Sequence, residues 1–123
     1  MSDDEITLTL PAAPAFVRLA RLTVASLATR VGFTYDEVED LRIAVGEGCA
    51  LLIGPHDESG TLTLRFRTSA AGLDLTITRE PALPGVDGEG TDLSAQILAA
   101  VVDDYQFSAT DGRVSLNKTA GRV

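Results

Sequence analysis

Three side chains in this sequence have the chemistry of a base, a nucleophile or a metal ligand and stand where a site could be built: Glu47, Cys49 and His56. Glu47 lies in the middle of residues 34–53, where Val38, Leu41, Val45, Cys49 and Leu52 fall in one narrow sector at about 100° per residue, as the buried stripe of a helix should. Asp40, Ala44, Glu47 and Leu51 recur at the same spacing on roughly the opposite side. A carboxylate there, in the turn before the apolar Leu51-Leu52-Ile53, is either a solvated face residue or the wall of a pocket, and the periodicity alone favours the solvated face. Cys49 is the one cysteine of the chain. It cannot form an internal disulfide, and its place on the buried stripe makes it a core thiol rather than a nucleophile or ligand. His56 has no second histidine or cysteine near it, and a metal site needs several ligands, so it reads as a loop residue.

The charges narrow the choice of partner. Eighteen acidic residues against ten basic ones give a net charge of −8, which repels a phosphate backbone and argues against direct nucleic-acid binding. The basic set is nine Arg and one Lys, and guanidinium groups make forked, weakly hydrated contacts suited to carboxylate-rich partner surfaces. Arg18 and Arg21 sit close together on the first helix, which makes that helix either a docking face or simply a wet one.

These residues need elements to hold them. Residues 5–10 alternate polar and apolar as a strand. Pro14 can open a helix that runs through Phe16, Leu19, Ala20, Thr23, Val24 and Leu27 to about Val31, and Gly32 closes it. Thr34 and Glu37 form a capping box at the start of the long helix. Residues 61–67 and 73–78 alternate cleanly about the turn 69–72 and predict a hairpin with one wet face. The Pro-, Gly- and acid-rich residues 81–90 predict an exposed loop. Thr91 opens a third helix, and strands near 105–107 and 114–117 flank the turn Asp111-Gly112. The order β, α, α, β, β, α, β, β over a single domain, residues 1–123, predicts an α+β two-layer α/β sandwich: a mostly antiparallel sheet with three helices on one face. No run of about 18 apolar residues exists and the N-terminus is acidic where a signal peptide would be basic, so a soluble, cytoplasmic protein without membrane association is expected.

Residues 20–27, followed by Tyr35-Asp36-Glu37-Val38-Glu39-Asp40-Leu41-Arg42-Ile43-Ala44-Val45-Gly46-Glu47-Gly48-Cys49-Ala50, resemble the first two helices of RsbW-type anti-sigma regulatory factors. Residues 97–107 resemble their last helix and the strand after it. These factors are serine-kinase relatives of the histidine-kinase-like ATPase superfamily, so the resemblance implies the Bergerat-type fold and, as partners, a sigma factor and an anti-anti-sigma factor; it also allows a homodimer.

In that family the long helix carries an E-A-x-x-N type motif, whose Glu is the base for phosphoryl transfer and whose Asn, one turn later, holds Mg²⁺. By resemblance Glu47 is the catalytic residue if activity is retained. Leu51 stands at the Asn position, where an aliphatic side chain offers no oxygen to a hard cation. The family's D-x-G-x-G stretch matches Arg79-Glu80-Pro81-Ala82-Leu83, with neither glycine, and Glu80 reaches the acid position only after a one-residue slip. Asp92 and Ser94 stand at two further glycine positions, leaving Gly88 and Gly90 upstream in an acidic loop. Glu47, Leu51, Glu80, Gly88 and Gly90 would then line a residual nucleotide pocket, with no metal site. By the same resemblance Arg21, with Arg18 and Arg42 beside it, belongs to the partner-binding face. Two functions are implied: a degenerate anti-sigma factor that needs no cofactor, and, as the alternative, a working serine kinase using ATP and Mg²⁺ on the anti-anti-sigma factor. A blander third is a partner domain with neither role.

Overall fold

The computed structural model describes residues 4–53, 60–82 and 89–120. His56 and Gly88 lie outside the described residues. The elements run β1 (Asp4–Pro11), α1 (Val17–Val31), α2 (Tyr35–Ile53), β2 (Thr61–Thr68), β3 (Gly72–Glu80), α3 (Glu89–Val101), β4 (Asp104–Ser108) and β5 (Arg113–Thr119), with a short 3₁₀ turn at Pro14–Phe16 ahead of α1. This is the predicted order, and the boundaries shift by a residue or two.

The sheet order is β1-β2-β3-β5-β4, and every neighbouring pair is antiparallel. Period-two alternation decides its faces. Leu62, Leu64 and Phe66 of β2, Leu73, Leu75 and Ile77 of β3, and Val114 and Leu116 of β5 are buried, while Arg65, Arg67, Asp74 and Arg113 point to solvent. The helices cover the apolar face, making the two-layer sandwich the sequence predicts. No helix among the described residues is long and apolar enough to cross a membrane.

The helix ends follow local chemistry. The Thr34 amide donates to Glu37 Oε1 at 2.7 Å and the Glu37 amide donates to Thr34 Oγ1 at 3.2 Å, closing the predicted capping box at the start of α2. Gly32 takes a left-handed conformation with φ of 101° and donates its amide to Ala28, which lets α1 stop one short turn before α2 begins.

Two periodicity readings need correction. On α1 the buried residues are Val17, Ala20, Val24 and Ala28, while Phe16 and Leu19 are exposed. Small side chains face α2 there, and the larger ones are left outside. On α2 the stripe predicted to be wet is covered: Ala44 is fully buried, and Asp40, Glu47 and Leu51 are half-buried. The cause is α3, which packs against that side of α2.

Candidate functional site

Glu47 sits on the seam between α2 and α3. Its Oε1 accepts a hydrogen bond from Ser94 Oγ at 2.8 Å, and Ser94 is itself buried. At the far end of the seam Lys118 of β5 donates from Nζ to the Val101 carbonyl at 2.9 Å and stands 3.7 Å from Asp40 Oδ2. Asp40 thus meets the C-terminus of α3 while Glu47 meets its first turns, so the two helices run antiparallel along the seam. The Lys118 charge lies where the unsatisfied carbonyls of a helix end favour a cation. Of the two sequence readings of Glu47, the geometry supports the wall rather than the wet face.

Leu51, one turn beyond Glu47, packs against the core. Gly90 belongs to α3, which begins at Glu89, so it is helix and not part of a loop upstream of it.

Glu80 is the clearest displacement. In β3 the inward position is Arg79, whose register partner is the buried Leu62, whereas Glu80 pairs with the exposed Thr61 on the other face. A one-residue step along a strand reverses the side chain, so Glu80 points away from the layer that holds Glu47. Arg79 is only 1% exposed. Its Nη1 donates to the Leu52 carbonyl at 3.2 Å and its Nε to the Pro81 carbonyl at 3.1 Å. The stretch matched to the family's adenine-contacting acid therefore places a guanidinium beneath the C-terminal end of α2.

A second feature lies on the outer surface, where α1 and α2 form a groove of about 570 Å³ lined by Arg21, Glu39, Arg42, Ile43, Gly46, Glu47 and Ala50. Arg42 is tethered, with Nη1 3.3 Å from Glu39 Oε2. Arg18 lies one turn before Arg21 on α1, exposed and outside the groove lining. Ile43 in this groove is 48% exposed, and elsewhere on α1 Leu19 and Leu22 are 47% and 52% exposed. The structure thus brings Arg21 and Arg42 together with Glu47, keeps Arg18 at the rim, and sends Glu80 elsewhere.

Cys49 lies directly beneath. Burial pushes its thiol up to about 12, against a smaller opposing pull from the Arg21 charge. A thiol held protonated in this way is a poor nucleophile, in line with its core role.

The sequence reading missed Ser94 as the donor to Glu47, Arg79 as a buried cation, and the exposure of Leu19 and Leu22. A signal existed for Arg79 alone, since strand alternation places it on the apolar face.

A family model described as the histidine kinase-like ATPase domain matches residues 10–116. The chain is similar to serine-protein kinase RsbW of Halalkalibacterium halodurans, 40% identical over 76 residues covering 61% of this chain and 47% of that one. It is also similar to serine-protein kinase RsbW of Bacillus subtilis, 34% identical over 103 residues covering 81% and 64%, and to that of Bacillus velezensis, 34% identical over 105 residues covering 83% and 66%. The chain spans roughly half to two thirds of the length of these curated relatives. With a family model matched over most of its length, and with the sheet order and helix layer described above, the chain belongs to the histidine kinase-like ATPase domain family.

Proposed function

We propose that the chain is an anti-sigma regulator that acts by binding proteins, a sigma factor and an anti-anti-sigma antagonist, through the α1–α2 face. The observation that carries this is the groove in which half-exposed Ile43 stands with Arg21 and Arg42. An exposed apolar side chain beside two arginines is the composition of a protein–protein hot spot, where the fork of an arginine pairs with a partner carboxylate.

The residues matched to the family's nucleotide elements do not fit Mg-ATP. Leu51 supplies no oxygen for the metal, Arg79 fills the inward position of β3, and Ser94 already occupies an acceptor of Glu47. The nucleotide-dependent half of the family's chemistry is accordingly left out of this reading. The alternative, an active serine kinase, is favoured by one observation: Glu47 stands where the family's base stands and accepts from a serine hydroxyl. Transfer of phosphate from Mg-ATP to a purified anti-anti-sigma factor, abolished by Glu47→Gln, would establish it in place of the first.

The test of the main reading is Arg21→Ala. It should weaken binding to the host sigma factor about thirtyfold, roughly 2 kcal/mol, while leaving the thermal midpoint in place. Surface plasmon resonance at two salt concentrations should show the long-range part fading with salt. Unchanged affinity for Arg21→Ala and Arg18→Ala alike would remove this face from the interface.

A further inference from the structure

The groove along α2 carries opposite charges on its two flanks. Ile43, Gly46, Glu47 and Ala50 recur at i, i+3, i+4 and i+7, so they share one side of the helix and form the floor. Ile43 and Ala50 are exposed along its middle. At Gly46 the floor is met from α1, because a Cβ there would stand 3.0 Å from Nε and Nη2 of Arg21. Glu47, one residue and about 100° further round, turns to the opposite flank, where Ser94 of α3 donates to its Oε1 at 2.8 Å. The groove thus runs between a cation brought by α1 and an anion beside α3. Arg42 and Glu39, also in the lining, pair with each other at 3.3 Å. Among the described residues neither Arg21 nor Glu47 stands in an ion pair, and the Glu47 carboxylate takes its one hydrogen bond through Oε1. Its Oε2 is left for a donor from outside.

We propose that Glu47 is a partner-binding residue, whose Oε2 accepts from a lysine or arginine of the docked protein and so decides which partner is taken and in which direction it lies. This rests on the reading of the α1–α2 face as the partner-binding surface. Every residue lining the groove belongs to a helix. A docked segment therefore finds no strand edge to pair with and must satisfy its own backbone, as a helix does. The occupant that fits is an amphipathic helix lying along α2, with small or apolar side chains over Ile43, Gly46 and Ala50. It carries an Asp or Glu on the flank towards Arg21 and a Lys or Arg on the flank towards Glu47. The bond from Ser94 holds the Glu47 carboxylate in place before docking, so less side-chain freedom is lost on binding. Direction follows from the two flanks. A helix laid the other way round, or one with acids on both sides, sets a carboxylate against Glu47, and that like-charge contact selects against it.

Glu47→Gln removes the charge while keeping the side-chain shape and an acceptor for Ser94, so the fold should be kept. In surface plasmon resonance without nucleotide it should weaken binding of the purified host sigma factor about tenfold. A residue serving only as a base for phosphoryl transfer would leave that affinity unchanged. The partner cation is found from the other side, by changing the lysines and arginines of the sigma factor to Gln one at a time. One of them should lose about tenfold against the parent chain and nothing further against Glu47→Gln. Ser94→Ala loses the hydrogen bond to α3 but keeps the charge, so it should retain the coupling to that cation. Unchanged affinity for Glu47→Gln, with Arg21→Ala weakened, overturns the proposal and leaves the docking reading standing. A loss in Glu47→Gln that couples to no lysine or arginine of the sigma factor also overturns it, since the loss then comes through the α2–α3 seam. Unchanged affinity in both Arg21→Ala and Glu47→Gln removes this face from the interface, and the proposal falls with the docking reading.

Discussion

Ser94 of α3 donates to Glu47 of α2 at 2.8 Å, so the carboxylate that the sequence resemblance matches to the family's base is held by a serine of the same chain. A hydrogen bond to an ionised acceptor contributes more than a neutral one, and a partly buried pair retains much of that. Ser94→Ala should therefore lower stability by about 1–2 kcal/mol in urea denaturation. Glu47→Gln, which keeps an acceptor oxygen, should cost less than Glu47→Ala. A double-mutant cycle between Ser94→Ala and Glu47→Ala should give a coupling of about 1 kcal/mol. Strict additivity would mean the bond adds nothing to the α2–α3 seam.

Restoring one nucleotide element should not restore the site. Leu51 packs against the core from a half-buried position, so Leu51→Asn places an amide on an apolar contact and should destabilise by about 1–3 kcal/mol. It leaves Arg79 and Ser94 where they are. Titration calorimetry of Leu51→Asn should find no Mg-ATP binding tighter than about 100 μM. Tight, Mg-dependent binding in this single variant would show that Leu51 alone had closed the pocket.

Arg79 makes the complementary case on the opposite side of α2. Its donors reach the Leu52 and Pro81 carbonyls from a position with almost no solvent, and a buried carbonyl such as that of Leu52, left without a donor, costs about 1–3 kcal/mol. Arg79→Met should lower unfolding free energy by about 3 kcal/mol. Arg79→Lys should recover little, because an ammonium cannot span two carbonyls as a planar fork does. A loss below about 1 kcal/mol for Arg79→Met would imply that water takes over both bonds.

The elements were legible because each writes its own period: the hairpin of β2 and β3 alternates without a break, and Thr34 with Glu37 marks the start of α2. The layer arrangement followed from element order. What periodicity could not carry was which side of an element meets which neighbour. Leu19 outranks Ala20 and Ala28 in hydrophobicity, yet helix packing against α2 selects the small residues and leaves Leu19 outside. Glu47 looked wet because its cover, Ser94, arrives 47 residues later, a pairing no local window contains. Glu80 followed from a slipped register against a motif, and a strand punishes a slip of one by turning the side chain to the other face.

The thiol of Cys49 feels both its burial and the Arg21 charge and gives a pH dependence with a definite sign. Burial raises it from an ordinary 9.0 to about 12. Below 9.0 the thiol is protonated in both the folded and the unfolded chain, so its preference for the folded core is fully present. Between 9.0 and about 12 the unfolded chain gives up the proton while the folded one keeps it, which favours unfolding as pH rises. Over that window stability should fall with a contribution approaching 1.4 kcal/mol per pH unit, roughly one proton's worth. Cys49→Ala should be less stable at neutral pH through lost packing, yet its alkaline slope should be shallower by that amount. Arg21→Ala should push the thiol further up: without the nearby cation that favours the thiolate, alkaline labelling of Cys49 in the folded protein should slow. Urea denaturation of the parent and Cys49→Ala across the window, paired with thiol-labelling rates for Arg21→Ala, measures both effects. Identical alkaline slopes would mean that Cys49 titrates alike in the folded and unfolded chain.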